Sequence, residues 1–259
     1  MFGKAVKNSV VSITIFLFAF VVSSVWSQEY VTDGLLGFWT MDREDIKGNV
    51  VQDVSGNNNH GEIGGNPEII KGKIQEALHF DGTDDFVGIP DFGNEPTVSV
   101  EVWAISEKPF PDIRGLVSTF DPPQWKAGSV HFKFEAGNID ILKNDGERIQ
   151  IPAEPNLWYH CAYTSDTTNN ELKLYVNGEL MGKVKTGAAP NNLTHLRIGS
   201  EHDGRYFPGI LDEVRIYKRI LTDKEIEQNY NVKANSLEVN PLQKLGNCWG
   251  KIKSVTSIH

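Results

Sequence analysis

The chain has 259 residues, 39% hydrophobic, 10% aromatic and 23% charged, with 25 Lys plus Arg against 34 Asp plus Glu and a formal net charge of -9. This balance belongs to a folded globular protein and excludes a low-complexity or disordered one. Net negative charge argues against a nucleic-acid groove or an anionic membrane face, which need clustered cations; two cysteines and no Cys/His cluster of zinc spacing exclude a disulfide-framework miniprotein.

Lys4 and Lys7 precede an apolar stretch from Val10 to Val22, broken only by Ser12 and Thr14, and Val25-Trp26-Ser27 follows. The order basic, apolar, small predicts a secretory signal peptide over residues 1–27, cut ahead of Gln28. An uncleaved anchor is the rival reading, but the apolar run is shorter than the roughly 20 residues that span a bilayer. Cleavage removes two basic residues and no acidic one. The mature protein is therefore expected to be exported, with a domain over 28–233 and a polar tail of unknown role over 234–259.

The domain alternates with period two. Val98, Val100, Val102 and Ala104 share one side of Thr97 to Ile105, and Phe132 and Phe134 one side of His131 to Ala136. Residues 157–164, 171–176, 193–198 and 209–217 alternate likewise, separated by Gly, Pro, Asn and Asp clusters. Such short runs predict antiparallel strands with one packed face. Asn177-Gly178 predicts a tight hairpin, because both turn positions need positive φ; Asp81-Gly82 turns the chain after Ala77 to Phe80. One short helix is predicted over Asp223 to Tyr230, packed against the end of a sheet. Thr222 and Glu225 have the spacing of a capping box, and Leu221 and Ile226 that of a hydrophobic staple. Many strands with one short C-terminal helix predict an all-β, antiparallel two-sheet jelly-roll sandwich.

Two features suggest a bound cation. Asp53 to Gly61 (DVSGNNNHG) concentrates oxygen donors, Asp53 and Asn57 among them, on a backbone that bends freely, as calcium requires; a connection of Asx turns is the alternative. Alternation also places Asp212 with Ile210, Val214 and Ile216, and Asp42 with Leu36 and Phe38. A carboxylate in an apolar layer costs several kcal/mol unless paired or metal-bound. Asp42, Asp53, Asn57 and Asp212 are thus candidate ligands of one calcium ion. Backbone hydrogen bonds, or pairing of Asp212 with Arg197 or Arg215, remain open.

Taken in order, GLLGFWTMD (34–42), DVSGNNNHG (53–61), GKIQEALHFDGTDDFVGIP (72–90), VSVEVWAIS (98–106), LWYHCAYT (157–164), LKLYVNGEL (172–180) and LRIGSEHDGRYFPGILDEVRIYKRILTDKEI (196–226) resemble the LamG-like jelly-roll family of the concanavalin A-like lectin/glucanase superfamily. The resemblance implies adjacent first and last strands, which brings Asp42 towards Asp212. It also implies a structural calcium and a glycan or an extracellular protein as partner, without fixing the ligand.

Glucanases of this superfamily carry their acids on one strand as Glu-x-Asp-x-x-Glu. The nearest segment keeps Asp140 but has Asn138, Lys143 and Asn144 around it. Asn can neither form nor protonate a glycosyl bond, so no catalytic residue is assigned. Glu213 is expected on the opposite strand face from Asp212. Trp125, Tyr206 and Phe207, in loops rich in Pro, Gly and charge, are the candidate ligand-binding aromatics; the alternative is that they cap loop bases. Trp39, Trp103 and Trp158 are assigned to the core. Cys161 is expected to pack as a small apolar residue, a bridge to Cys248 being the alternative, and Asn192-Leu193-Thr194 fits a glycosylation acceptor. The expected function is a secreted, non-catalytic carbohydrate- or surface-ligand-binding module. A docking domain without a sugar site, or a glycoside hydrolase, is the competitor.

Overall fold

The computed structural model describes residues 29–109, 112–120, 126–201 and 205–232. The predicted signal peptide, the tail over 234–259 with Cys248, and Trp125 lie outside them. In chain order the strands are β1 (Leu35–Trp39), β2 (Ile46–Lys47), β3 (Val50–Val51), β4 (Gly61–Gly64), β5 (Glu68–Lys71), β6 (Glu76–Asp81), β7 (Phe86–Gly88), β8 (Asn94–Glu95), β9 (Thr97–Ser106) and β10 (Arg114–Thr119). There follow β11 (Val130–Glu135), β12 (Asn138–Lys143), β13 (Arg148–Pro152), β14 (Tyr159–Asp166), β15 (Glu171–Val176), β16 (Glu179–Val184), β17 (Asn191–Asn192), β18 (Leu196–Ile198), β19 (Pro208–Tyr217) and the helix α1 (Asp223–Asn231).

Two large antiparallel sheets form the sandwich. The first runs β16-β15-β14-β9-β19-β6-β5, with β1 also paired to β19; the second runs β13-β12-β11-β10-β18-β7-β4-β3-β2. Alternation decides what each sheet buries. Val98, Val100, Val102 and Ala104 of β9, Cys161 and Tyr163 of β14, and Phe132 and Phe134 of β11 meet in one core with Trp39, Phe80 and Ile141. Each such side chain contributes about 1.5–3 kcal/mol by leaving water. Cys161 packs there as expected, and burial pushes its thiol up. Asn177 and Gly178 both have positive φ (52° and 83°) in the β15–β16 turn, as the hairpin reading requires. Gly178 is required twice over, since a Cβ there would come within 2.9 Å of the Tyr230 ring.

Helix α1 lies over the outer face of the first sheet, with Ile226 and Leu221 buried against Ala162, Tyr175 and Tyr217, rather than at the sheet's end. Its capping box is formed: the Glu225 amide donates to Thr222 Oγ1 at 3.3 Å and the Thr222 amide to Glu225 Oε2 at 2.8 Å. Arg219 grips the same carboxylate at 2.7 and 3.0 Å and, with Thr222, holds it down to about 2. A carboxyl depressed in the folded state stabilises above its unfolded value and loses that contribution as pH falls towards 2. Glu225→Gln is accordingly expected to cost about 1–2 kcal/mol at pH 7, allowing for partial exposure. Urea unfolding should show the gap from wild type closing between pH 5 and pH 2.5.

Beneath α1 the sheet carries charge. Arg215, fully buried, donates to Glu101 Oε2 at 3.3 Å and to Glu213 Oε2 at 3.0 Å and lies 3.8 Å from the Tyr30 ring. Asn229 of α1 donates to Glu101 at 2.6 Å and accepts the Val31 amide at 2.9 Å; Gln228 donates to the Glu29 carbonyl at 2.7 Å. Trp103 is on this face rather than in the sandwich core, stacked on Tyr230. Trp158 is only half-buried, while Trp39 is in the core as expected.

Candidate functional site

The last long strand breaks its alternation. Leu211, Val214 and Ile216 face the core, because a bulge after Asp212, with Glu213 at φ 55°, shifts the register against β9. Asp212 therefore points to the opposite face from Val214 and Ile216, correcting the expectation of a shared face. The bulge also leaves Asp212 and Glu213 both fully buried, with the Glu213 carboxylate raising Asp212.

Asp212 and Asp42 meet at one turn. Asp42 Oδ1 accepts the Glu76 amide at 2.8 Å and Oδ2 accepts Gln75 Nε2 at 3.0 Å. Asp212 Oδ2 accepts the Ile74 amide at 2.9 Å, and its Oδ1 is buried without a hydrogen-bond partner among the described residues. Gly72 closes the turn. A Cβ there would fall 2.5 Å from the Glu76 carbonyl oxygen and 2.7 Å from Asp212 Oδ2. Burial pushes Asp42 up to about 6, reinforced by Asp45, Glu44 and Glu76. Burial, then Glu213 and Asp42, lift Asp212 well above the carboxylate range. A depression of ≈ 550 Å³ lined by Asp42, Arg43, Glu44, Gln75 and Glu76 opens beside them. Clustered, desolvated acids with an unsatisfied oxygen favour a hard cation.

Asp53 and Asn57 do not join this turn. Asp53 spends its oxygens on the amides of Phe38, Ser55 and Asn59, each at 2.9 Å, and Asn57 Nδ2 donates to the Leu35 carbonyl at 2.8 Å. The loop is tied to β1 by its own Asx geometry, and of the four candidate ligands only Asp42 and Asp212 stand together at the 72–76 turn. Asp81, Asp84 and Asp85 also place carboxylate oxygens within 4.8 Å of one another. Asp85 is already satisfied by the Asp81 and Asn66 amides at 2.9 and 2.7 Å. The crowding shows in the sequence as Asp81-Gly82-Thr83-Asp84-Asp85.

The aromatic candidates separate as well. Phe207 is fully buried and stacked on Phe134, with ring centroids 5.7 Å apart, so it is core and no ligand platform, despite Pro208 and Gly209 beside it. Tyr206 is half-buried and bridges Ser200. The outer face of the second sheet carries a wider polar surface. Arg148 Nε donates to the buried Asp140 at 2.6 Å, Gln150 donates to the same oxygen at 3.0 Å, and Glu135 pairs with Arg148 and Lys133. His131 meets the buried Glu201, which Arg205 also contacts at 3.3 Å. At the glucanase positions, Asn138 donates to the Ala136 carbonyl and Lys143 pairs with Asp145. Asn192 is buried, with Oδ1 accepting the Thr194 hydroxyl at 2.7 Å, which occupies the predicted glycosylation sequon within the fold.

The family model Laminin_G_3, of the concanavalin A-like lectin/glucanases superfamily, matches residues 81–227. The chain belongs to that superfamily. No significant match is found among curated proteins. Similar solved structures include the binding domain of Paraclostridial Mosquitocidal Protein 1 (TM-score 0.60, 18% identity, 77% of this chain and 52% of that one). Domain 4 of AbnA, a GH43 extracellular arabinanase from Geobacillus stearothermophilus in complex with arabinotriose, gives 0.58 and 20%, covering 76% and 98%. The receptor binding domain of botulinum neurotoxin D gives 0.61 and 15%, covering 77% and 52%. At these identities the likeness shows a shared sandwich fold. The chain spans about half the length of the two toxin domains.

Proposed function

We propose that the protein is an exported, non-catalytic recognition module that binds a glycan or a surface protein and holds one structural calcium ion. The outer face of the second sheet carries the reading. Arg148, Gln150 and Glu135 stand around the buried Asp140 on this face and reach solvent, the mixed donors and acceptors that recognition of a polar ligand uses. Superfamily membership and the binding domains among the similar structures support it. The non-catalytic part is favoured because Asp140 is neutralised by Arg148 while Asn138, Lys143 and Asn144 stand where a glucanase needs acids. A second reading, a docking domain without a sugar site, is favoured by Leu180 and Met181, exposed on the edge strand β16.

Asp42 and Asp212 would hold the calcium. The unpartnered Asp212 Oδ1, the absence of a cation within hydrogen-bond reach of either carboxylate among the described residues, and the lifting of Asp212 by Asp42 support that placement. The ion would neutralise them and join β1 to β19 through the 72–76 turn. A glycan array tests the ligand class, with binding expected on the purified chain. Silence across the array together with capture of a surface protein would replace the lectin reading by the docking one, and turnover of a β-glucan would overturn both.

A further inference from the structure

We infer that the second sheet carries a subsite for a neutral sugar ring in the trough between β4 and β7, an inference that rests on the glycan reading. A cavity of ≈ 490 Å³ opens there, lined by His60, Glu62, Gly64, Phe86 and Gly88 among others, within the size range of small-ligand sites. Pairing explains its shape. Val87 faces the core, so Phe86 and Gly88 face outward, and their cross-strand partners Gly64 and Glu62 do the same. The Phe86 ring lies against Gly64, where a Cβ would be 2.2 Å from it.

The floor is Gly88, where an added Cβ would meet nothing nearer than 3.7 Å. Packing therefore does not demand glycine at 88; the missing side chain is what keeps the trough open. Across the ladder Gly88 lies between Glu62 and Arg197, whose guanidinium is held over Phe86 at 4.0 Å and Phe120 at 3.5 Å. Arg197 thereby holds the Phe86 ring from one face while a ring edge abuts Gly64.

The polar lining is one acceptor and one donor. Glu62 is exposed and, among the described residues, receives only Asn49 Nδ2, at 3.3 Å. The exposed His60 accepts the Asp53 amide at Nδ1, 3.0 Å, so its Nε2 carries the proton and donates. An aromatic wall, a carboxylate acceptor and an imidazole donor complement a ring with an apolar C–H face and hydroxyls at its rim. An anionic sugar would face Glu62 and a protein of formal charge -9.

The test is calorimetric titration of the purified chain with neutral trisaccharides (arabino-, cello- and manno-), hexuronate trimers and hexosamine trimers. Binding of a neutral trimer is expected, at least tenfold weaker in Glu62→Gln and in Gly88→Leu, which fills the floor. Melting curves of the variants establish that they fold, and Glu62→Gln serves if Gly88→Leu does not. Neutral-sugar binding untouched by these substitutions would overturn the subsite while leaving the glycan reading intact. A preference for hexuronate or hexosamine would overturn the ligand class. Binding of no sugar by the wild type would remove the glycan reading itself.

Discussion

Arg215→Leu is expected to lower stability by about 3–5 kcal/mol, the cost of leaving buried carboxylates without their counter-charge. For a domain of this size that is a fall in Tm of about 6–20 °C. Arg215 is fully buried and holds Glu101 and Glu213 from adjacent strands while lying over Tyr30. Burial already pushes Glu101 up against the pull of Arg215, so removing the guanidinium leaves two acids that must take up protons or admit water. Arg215→Lys should recover only part, because one ammonium cannot span both carboxylates as the fork does. Adding Glu101→Gln to Arg215→Leu should restore stability towards wild type. A loss below 1 kcal/mol in Arg215→Leu, by urea unfolding at pH 7, would show that this network is not the clamp between β9 and β19.

Calcium is expected to raise Tm and EDTA to lower it. A ligand that binds only the folded state adds about 2.7 kcal/mol at a hundredfold excess over Kd, or about 5–10 °C here. The shift should vanish in Asp212→Asn and persist in Asp53→Asn, since Asp53 is engaged with the amides of its own loop. Asp212→Asn should itself be tolerated without metal, because it relieves the repulsion that Glu213 and Asp42 impose. Elemental analysis without calcium and a Tm indifferent to chelation would discard the ion; a shift lost in Asp53→Asn and kept in Asp212→Asn would relocate it.

What was legible in the sequence was what is local or periodic. The alternating valines of β9 found the core side, Asn177-Gly178 its hairpin and Thr222–Glu225 its cap, because each rests on neighbours in the chain. Glu213 defeated the same logic. A left-handed Glu has no compositional signature, and that one bulge reversed the face of Asp212. Phe207 failed differently, since flanking Pro and Gly mark a turn but say nothing about which side of it is buried. The meeting of Asp42 with Asp212 came from the family resemblance, as no spacing predicts a contact between such distant residues. The trough at Gly88 was invisible, being made of side chains that are missing.

Residues 29–31 and helix α1 are laced together over the first sheet, with Gln228 bound to Glu29 and Asn229 to Val31. Glu29 and Val232, the two ends of the described chain, thus lie on the same flank, opposite the β13-to-β2 surface. A tether or a second domain attached at either terminus would hold the body by its back. It would present Arg148, Gln150, Phe86 and Glu62 outward, without obstructing what they meet.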